Sequence, residues 1–247
     1  QTYKNMQILH HLVSLLQISD FSKTTKRFVL PVLCSFFLTI ILIGQIFEIF
    51  DKELTSTIVK LSFSFSSAFY AFTALKLFSE SRGWSVKKYF SFSALSFFII
   101  LLIAFGANPY GTFLLGSGLF LLISAAPFLS KESDNISYCN FSCALSNGIF
   151  FSLLAAGILS LGSCAILASI HYLFVLDISA KVYFSFSVLY FVFFAPIYFL
   201  SGIKQDSDNK NFLYPRGIKF ITNFILIPLL TTYSIILYSY IIKILIL

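Results

Sequence analysis

Residues 89–105 read YFSFSALSFFIILLIAF, and this stretch decides between two architectures. It opens by alternating aromatic residues with serine, the way a barrel strand turns one face to lipid and the other to a lumen. It then continues through Phe97–Phe105 as unbroken apolar sequence, which leaves no polar face at all. The same opening returns at Tyr183–Ser187, again running into apolar sequence at Val188–Phe194, and SFSFS stands at Ser62–Ser66. A lipid-facing strand is about 10 residues long and keeps alternating, whereas a helix that crosses a bilayer needs about 20 predominantly apolar residues. The continuation selects helix. Phe and Ser are so abundant that the repeated pentapeptide needs no internal duplication to explain it.

The rest of the chain has the same character. Of its 247 residues, 58% are hydrophobic and only 11% charged, with 32 Phe and 13 Tyr; an ordinary soluble domain carries about 25% charged residues. Seven apolar runs are long enough to cross a hydrocarbon core of roughly 30 Å: Phe28–Ile49, Leu61–Phe78, Tyr89–Phe105, Gly111–Leu129, Ala144–Leu176, Ala180–Leu200 and Phe220–Leu247. The gaps between them are short and polar. The expected architecture is an all-α, polytopic transmembrane helical bundle of about seven spans over residues 28–247. Residues 1–27 are expected to form an amphipathic interfacial segment, because Ile8, Leu9, Leu12, Val13, Leu15 and Leu16 interleave with His10, His11, Ser14 and Gln17; the alternative reading is the end of an upstream span. A chain that starts at Gln1 is expected to be a processed product or a fragment, and the family resemblance described below implies that it is the front part of a larger membrane protein.

The net charge of +7 follows topology rather than a nucleic-acid partner. With the N-terminus placed in the cytoplasm, all of the 17 Lys and Arg except Lys52, Lys60, Lys181 and Lys243 fall on the cytoplasmic side, as the positive-inside rule requires. The fifth run is about 33 residues, or roughly 50 Å of helix. It reads either as one tilted helix or as two segments meeting near Gly157–Gly162, and a break there would reverse the sidedness of everything after it.

Two groups of residues carry the candidate function. In the fifth run, Ala144, Gly148, Ser152, Ala156, Ser160, Cys164 and Ala168 are small and stand four apart. Small residues let helix backbones approach closely in lipid, so Gly148 to Ala168 form a candidate helix-packing surface, static or sliding. In the last run, Pro228 interrupts the backbone ladder, and Asn223, Thr231, Thr232 and Tyr233 make that helix the most polar of the seven; together they are candidate cavity-lining residues, or equally a face for helices outside this chain. Ionisable groups avoid the middle of the runs. His171 is the one His within a run, readable as a proton-responsive group or as a satisfied residue near the interface. Cys34 and Cys164 read as small buried hydrophobes, and C-x3-C at Cys139 and Cys143 has no further ligand in rhythm with it, so no metal and no cofactor is expected. The sequons at Asn135 and Asn140 fall on the cytoplasmic side. No phosphate-binding loop, nucleophile elbow or zinc-protease motif is present, and the chain is not expected to be an enzyme.

Residues 150–247 resemble a known family. The stretches IHYLFVLDISAKVYFSFSVLYFVFFAPIYFLSGI (170–203) and YPRGIKFITNFILIPLLTTYSIILYSYIIKI (214–244) are similar to a bacterial inner-membrane family known only as domain of unknown function 4153. The likeness lies in the Leu-Phe pair, the proline late in the next span, and the Pro-Leu…Tyr…Ile-Leu-Tyr-x-Tyr-x-x-Lys pattern. It implies a multi-pass location in the bacterial inner membrane and further membrane helices as partners, and it brings no activity or site residues. The span count and the polar last helix point to a transporter or permease-like component for a small or lipidic molecule. The absence of midplane charge points instead to a non-transport scaffold or sensor of the envelope.

Overall fold

Lipid offers no hydrogen bonds to a backbone, so a chain of this composition must satisfy its peptide groups within each segment. The computed structural model describes residues 18–106, 109–129, 135–174, 176–203 and 227–246, and among them every regular element is helical. We number the α-helices in order: α1 Ile18–Arg27, α2 Val29–Ile46, α3 Thr55–Ser81, α4 Val86–Gly106, α5 Pro109–Ala125, α6 Asn135–Phe174, α7 Ala180–Val188, α8 Ala195–Gly202 and α9 Ile227–Ile246. Short 3-10 turns lie at Lys52–Leu54 and Ala126–Phe128, and a π-helical segment, Leu189–Phe194, joins α7 to α8.

Among the described residues, six helices are long and apolar enough to cross a membrane: Val29–Ile46, Thr55–Ser81, Val86–Gly106, Gly111–Phe128, Tyr138–Phe174 and Ala180–Gly202. They coincide with the first six apolar runs of the sequence. The seventh run is described only from Ile227 onward, as α9, whose apolar part is the shorter Leu229–Ser239. All three Phe-Ser pentapeptides lie within helices. The fifth run is one unbroken helix through Gly157 and Gly162, 40 residues from Asn135 to Phe174, or about 60 Å. Residues 1–17, most of the expected interfacial segment, lie outside the described residues.

The serines explain how such helices tolerate lipid. Ser62, Ser64, Ser185 and Ser187 each donate their hydroxyl to the carbonyl four residues earlier, at 2.8–3.3 Å. Thr39 and Thr73 do the same. A hydroxyl folded onto its own helix leaves no unsatisfied donor facing hydrocarbon.

The chain divides into two compact units, and the division falls inside α6. In the unit Thr25–Ile149, α3 is the hub: it packs against α2, α4 and α5 and the 3-10 turn at Ala126–Phe128. Its buried face is small, with Ser64, Ser67, Ala68, Ala71, Thr73 and Ala74 at 4% exposure or less, which lets three neighbours approach one helix. Phenylalanines fill the spaces between. Phe37 of α2 meets Phe65 of α3, Phe65 and Phe72 meet Phe97 of α4, and Tyr70 meets Phe120 of α5, with centroids 5.6–6.2 Å apart. The other unit, Gln1–Thr24 with Phe150–Leu247, holds the rest of α6, the α7–π–α8 span and α9.

Two helix ends in the first unit share one cap. After α3, Gly83 takes φ 62°, the Trp84 amide donates to Ser79 and the Gly83 amide to Glu80. After α2, Glu48 takes φ 55°, the Ile49 amide donates to Gly44 and the Glu48 amide to Gln45. Both are left-handed C-caps that satisfy the last carbonyls of a helix. The first has the usual glycine, and Trp84 completes it by meeting Phe78 edge-on at 5.2 Å.

Candidate functional site

The span α7–π–α8 is not a regular helix. Pro196 has no amide hydrogen to give to Val192, and its ring crowds that carbonyl. The turn just before it, Leu189–Phe194, is π-helical. Such wide turns recur at functional sites. Directly beside this turn, two hydroxyl pairs bridge to α6. Ser160 and Ser187 are 2.9 Å apart, and Ser163 and the Tyr190 hydroxyl 2.7 Å apart. Ser187 also donates to the Tyr183 carbonyl, and it has one proton, so Ser160 is the donor in the first pair. The result is a seam of four hydroxyls between two spans, bordered by a π-helical turn.

The small-residue row of α6 runs into this seam. Ser152, Ala156 and Ser160 are buried, at 3%, 0% and 7% exposure. Gly148, Cys164 and Ala168 are half-buried, and Ala144 is exposed. Gly162 lies outside the row, yet it makes the tightest approach: a Cβ there would overlap the Leu229 side chain of α9. Of the cavity-lining candidates on the last helix, Asn223 and the Pro228 side chain lie outside the described residues, while Thr231, Thr232 and Tyr233 are exposed. His171 serves the loop after α6. Its Nδ1 lies 2.6 Å from the Leu176 carbonyl oxygen and 3.4 Å from the Ile178 amide nitrogen; a carbonyl can only accept, so the shorter contact requires the proton on Nδ1 and excludes donation from Ile178 at the same time.

A second polar group, which the sequence reading did not assemble, lies at one end of the unit Thr25–Ile149. Arg27 grips Glu80 with two bonds, Nε to Oε1 at 2.9 Å and an Nη to Oε2 at 2.5 Å. Lys76 reaches Glu80 Oε1 at 3.5 Å from one turn earlier and lies over the Tyr89 ring. The Lys76–Glu80 spacing was readable in the sequence as an i,i+4 pair; Arg27 is 53 residues away and only the fold brings it there. At the far end of α3, Lys60 donates to the Phe105 carbonyl at the end of α4. The two lysines are therefore about 24 Å apart along α3, each at an end where a long side chain can reach polar surroundings. Cys34 is buried, and Cys139 and Cys143 are exposed one turn apart on α6. Among the described residues no three His, Cys, Asp or Glu gather as a metal site.

Spans with apolar flanks, charges at their ends and hydroxyls folded inward define an integral, multi-pass helical membrane protein. No family model matches the chain, and neither a curated protein nor a solved structure matches it.

Proposed function

We propose that the protein is a transporter or permease-like component of the bacterial inner membrane, oriented with its N-terminus in the cytoplasm, that passes a small or lipidic molecule without chemical change. The observation that carries this reading is the seam of Ser160, Ser163, Ser187 and Tyr190 beside the π-helical turn. Hydroxyls can exchange a partner hydroxyl for a solute at little cost, and a π turn lets a helix shift register locally. The seam has no charged side chain, which suits a neutral, zwitterionic or lipid cargo better than an ion-coupled one. The resemblance of residues 150–247 supports the bacterial location, and the bias of Lys and Arg supports the orientation.

The test is flux in liposomes, using a fluorescent phospholipid and a panel of labelled small solutes. Ser163→Ala and Tyr190→Phe are expected to reduce flux several-fold while the protein stays folded. No flux of any probe by the unaltered protein would sink the proposal. A second reading, a non-transport scaffold or sensor of the envelope, is favoured by the close seating of Leu229 on Gly162, a contact suited to fixed helix packing. Co-purification of a stoichiometric membrane partner, together with absent flux, would select it.

A further inference from the structure

The turn between α3 and α4 carries more positive charge than its own carboxylate can balance. Glu80 is already held by Arg27 on both oxygens and shared with Lys76. Arg82, Lys87 and Lys88 are exposed, and none has an ion pair among the described residues. No acidic residue stands in the first turn of α4. Two of these cations are not loose. The Arg82 guanidinium lies over the Phe78 ring at 4.6 Å, and Lys88 Nζ lies over the Trp84 ring at 4.6 Å. Phe78 and Trp84 are themselves in edge contact, and Trp84 also rests on Phe92 of α4. The αL cap at Gly83 fixes the backbone beneath them. Two cations are thus presented on a rigid aromatic platform, with Lys87 exposed beside them, at the junction of two spans, the depth at which lipid phosphates and interfacial tryptophan sit.

We propose that this turn is a binding surface for the headgroup of an anionic phospholipid, with Arg82, Lys87 and Lys88 holding the phosphate and Trp84 lying against the adjoining glycerol and upper acyl chain. Juxtamembrane lysine and arginine attract anionic lipid, and here ring contacts set the position of Arg82 and Lys88, while Lys87 stands in the first turn of α4. The surface is independent of the seam between α6 and α7, so its success or failure says nothing about transport.

The chain contains one Trp, which makes Trp84 a built-in reporter. The protein is reconstituted in vesicles of three parts phosphatidylcholine to one part phosphatidylglycerol, with brominated acyl chains carried either by the phosphatidylglycerol or by an equal amount of the phosphatidylcholine. Bromine quenches Trp fluorescence only at short range. Quenching by the brominated phosphatidylglycerol is expected to exceed that by the phosphatidylcholine several-fold. The excess should disappear in the Arg82→Gln, Lys87→Gln, Lys88→Gln triple variant and remain in Arg82→Lys, which keeps the charge. Quenching by brominated phosphatidylcholine should be the same in all three proteins, which shows that Trp84 keeps its depth and that the variants are folded. Equal quenching by the two lipids in the unaltered protein, or an excess that survives in the triple variant, would overturn the proposal. Should the triple variant fail to insert, Lys87→Gln alone, which touches no ring, is expected to lower the excess; no change would count against the site.

Discussion

Gly83 and Glu48 occupy the same place in the same cap, and they show what a single residue contributes here. Both are left-handed, with φ 62° and 55°. A left-handed L-residue crowds its Cβ against the following carbonyl at a cost of roughly 1–2 kcal/mol, which glycine avoids. Gly83→Ala is therefore expected to destabilise the protein by about 1–2 kcal/mol, although nothing lies within 4 Å of the new methyl group. Glu48→Gly is expected to stabilise it by about 1 kcal/mol. Thermal or denaturant unfolding in nanodiscs reads both, and shifts in the same direction would refute the backbone account. The Arg27–Glu80 pair belongs to this scale too. Its side chains are 20% and 23% exposed, and a bidentate pair at that depth exceeds a fully solvated one. A double-mutant cycle with Arg27→Gln and Glu80→Gln should give a coupling of about 1–2 kcal/mol; a value near zero would show the pair to be incidental. The glycine cap at Gly83 is legible, as a Gly just past an apolar run; the Glu48 cap and the Arg27–Glu80 pair are not. A glutamate in the left-handed region leaves no compositional trace, and Arg27 meets Glu80 only once the end of α1 lies beside the end of α3.

At the scale of elements, what could be read was what depends on composition over a turn or more. The runs that open at Leu61, Tyr89 and Ala180 became α3, α4 and α7–π–α8 because apolar continuity outweighs two-residue alternation once no strand has a polar lumen to face. A strict interval of four small residues marks Ser152, Ala156 and Ser160 on α6. It passes over α3, whose small face follows the mixed three-and-four spacing of Ser64, Ser67, Ala68, Ala71 and Ala74, the true repeat of one helix side. It also passes over Gly162, which α9 approaches most closely. The two glycines of α6 near that point separate packing from propensity. Nothing lies within 4 Å of a Cβ at Gly157, whereas one at Gly162 overlaps Leu229. Gly157→Ala is expected to stabilise the protein by about 0.5–1 kcal/mol through helix propensity. Gly162→Ala is expected to destabilise it by about 1–2 kcal/mol through overpacking. Opposite signs in the same unfolding assay are the expected outcome; a gain at both positions would mean that α9 does not seat on α6 at Gly162.

For the molecule as a whole, sidedness hangs on α6. If residues 135–174 cross once, the segments before and after them face opposite compartments, and the proposed orientation has the first of these in the cytoplasm. The structure has no break at Gly157–Gly162, although a helix of about 60 Å is twice as long as a hydrocarbon core of roughly 30 Å. The surplus is accommodated by tilt or by overhang. Overhang fits the first turns of α6, where Tyr138, Cys139, Asn140 and Cys143 are exposed. Cysteine labelling in intact cells tests the single crossing directly. In a background with Cys34, Cys139, Cys143 and Cys164 removed, single cysteines are placed at Ser133, Ser179 and Ser207. A membrane-impermeant maleimide is expected to reach only Ser179→Cys from outside, with the other two reacting after permeabilisation. Labelling of Ser207→Cys but not Ser179→Cys from outside would mean that α6 doubles back within the membrane. The hydroxyl seam would then lie between segments of a re-entrant hairpin, and the transport proposal would lose the two-span geometry on which it rests.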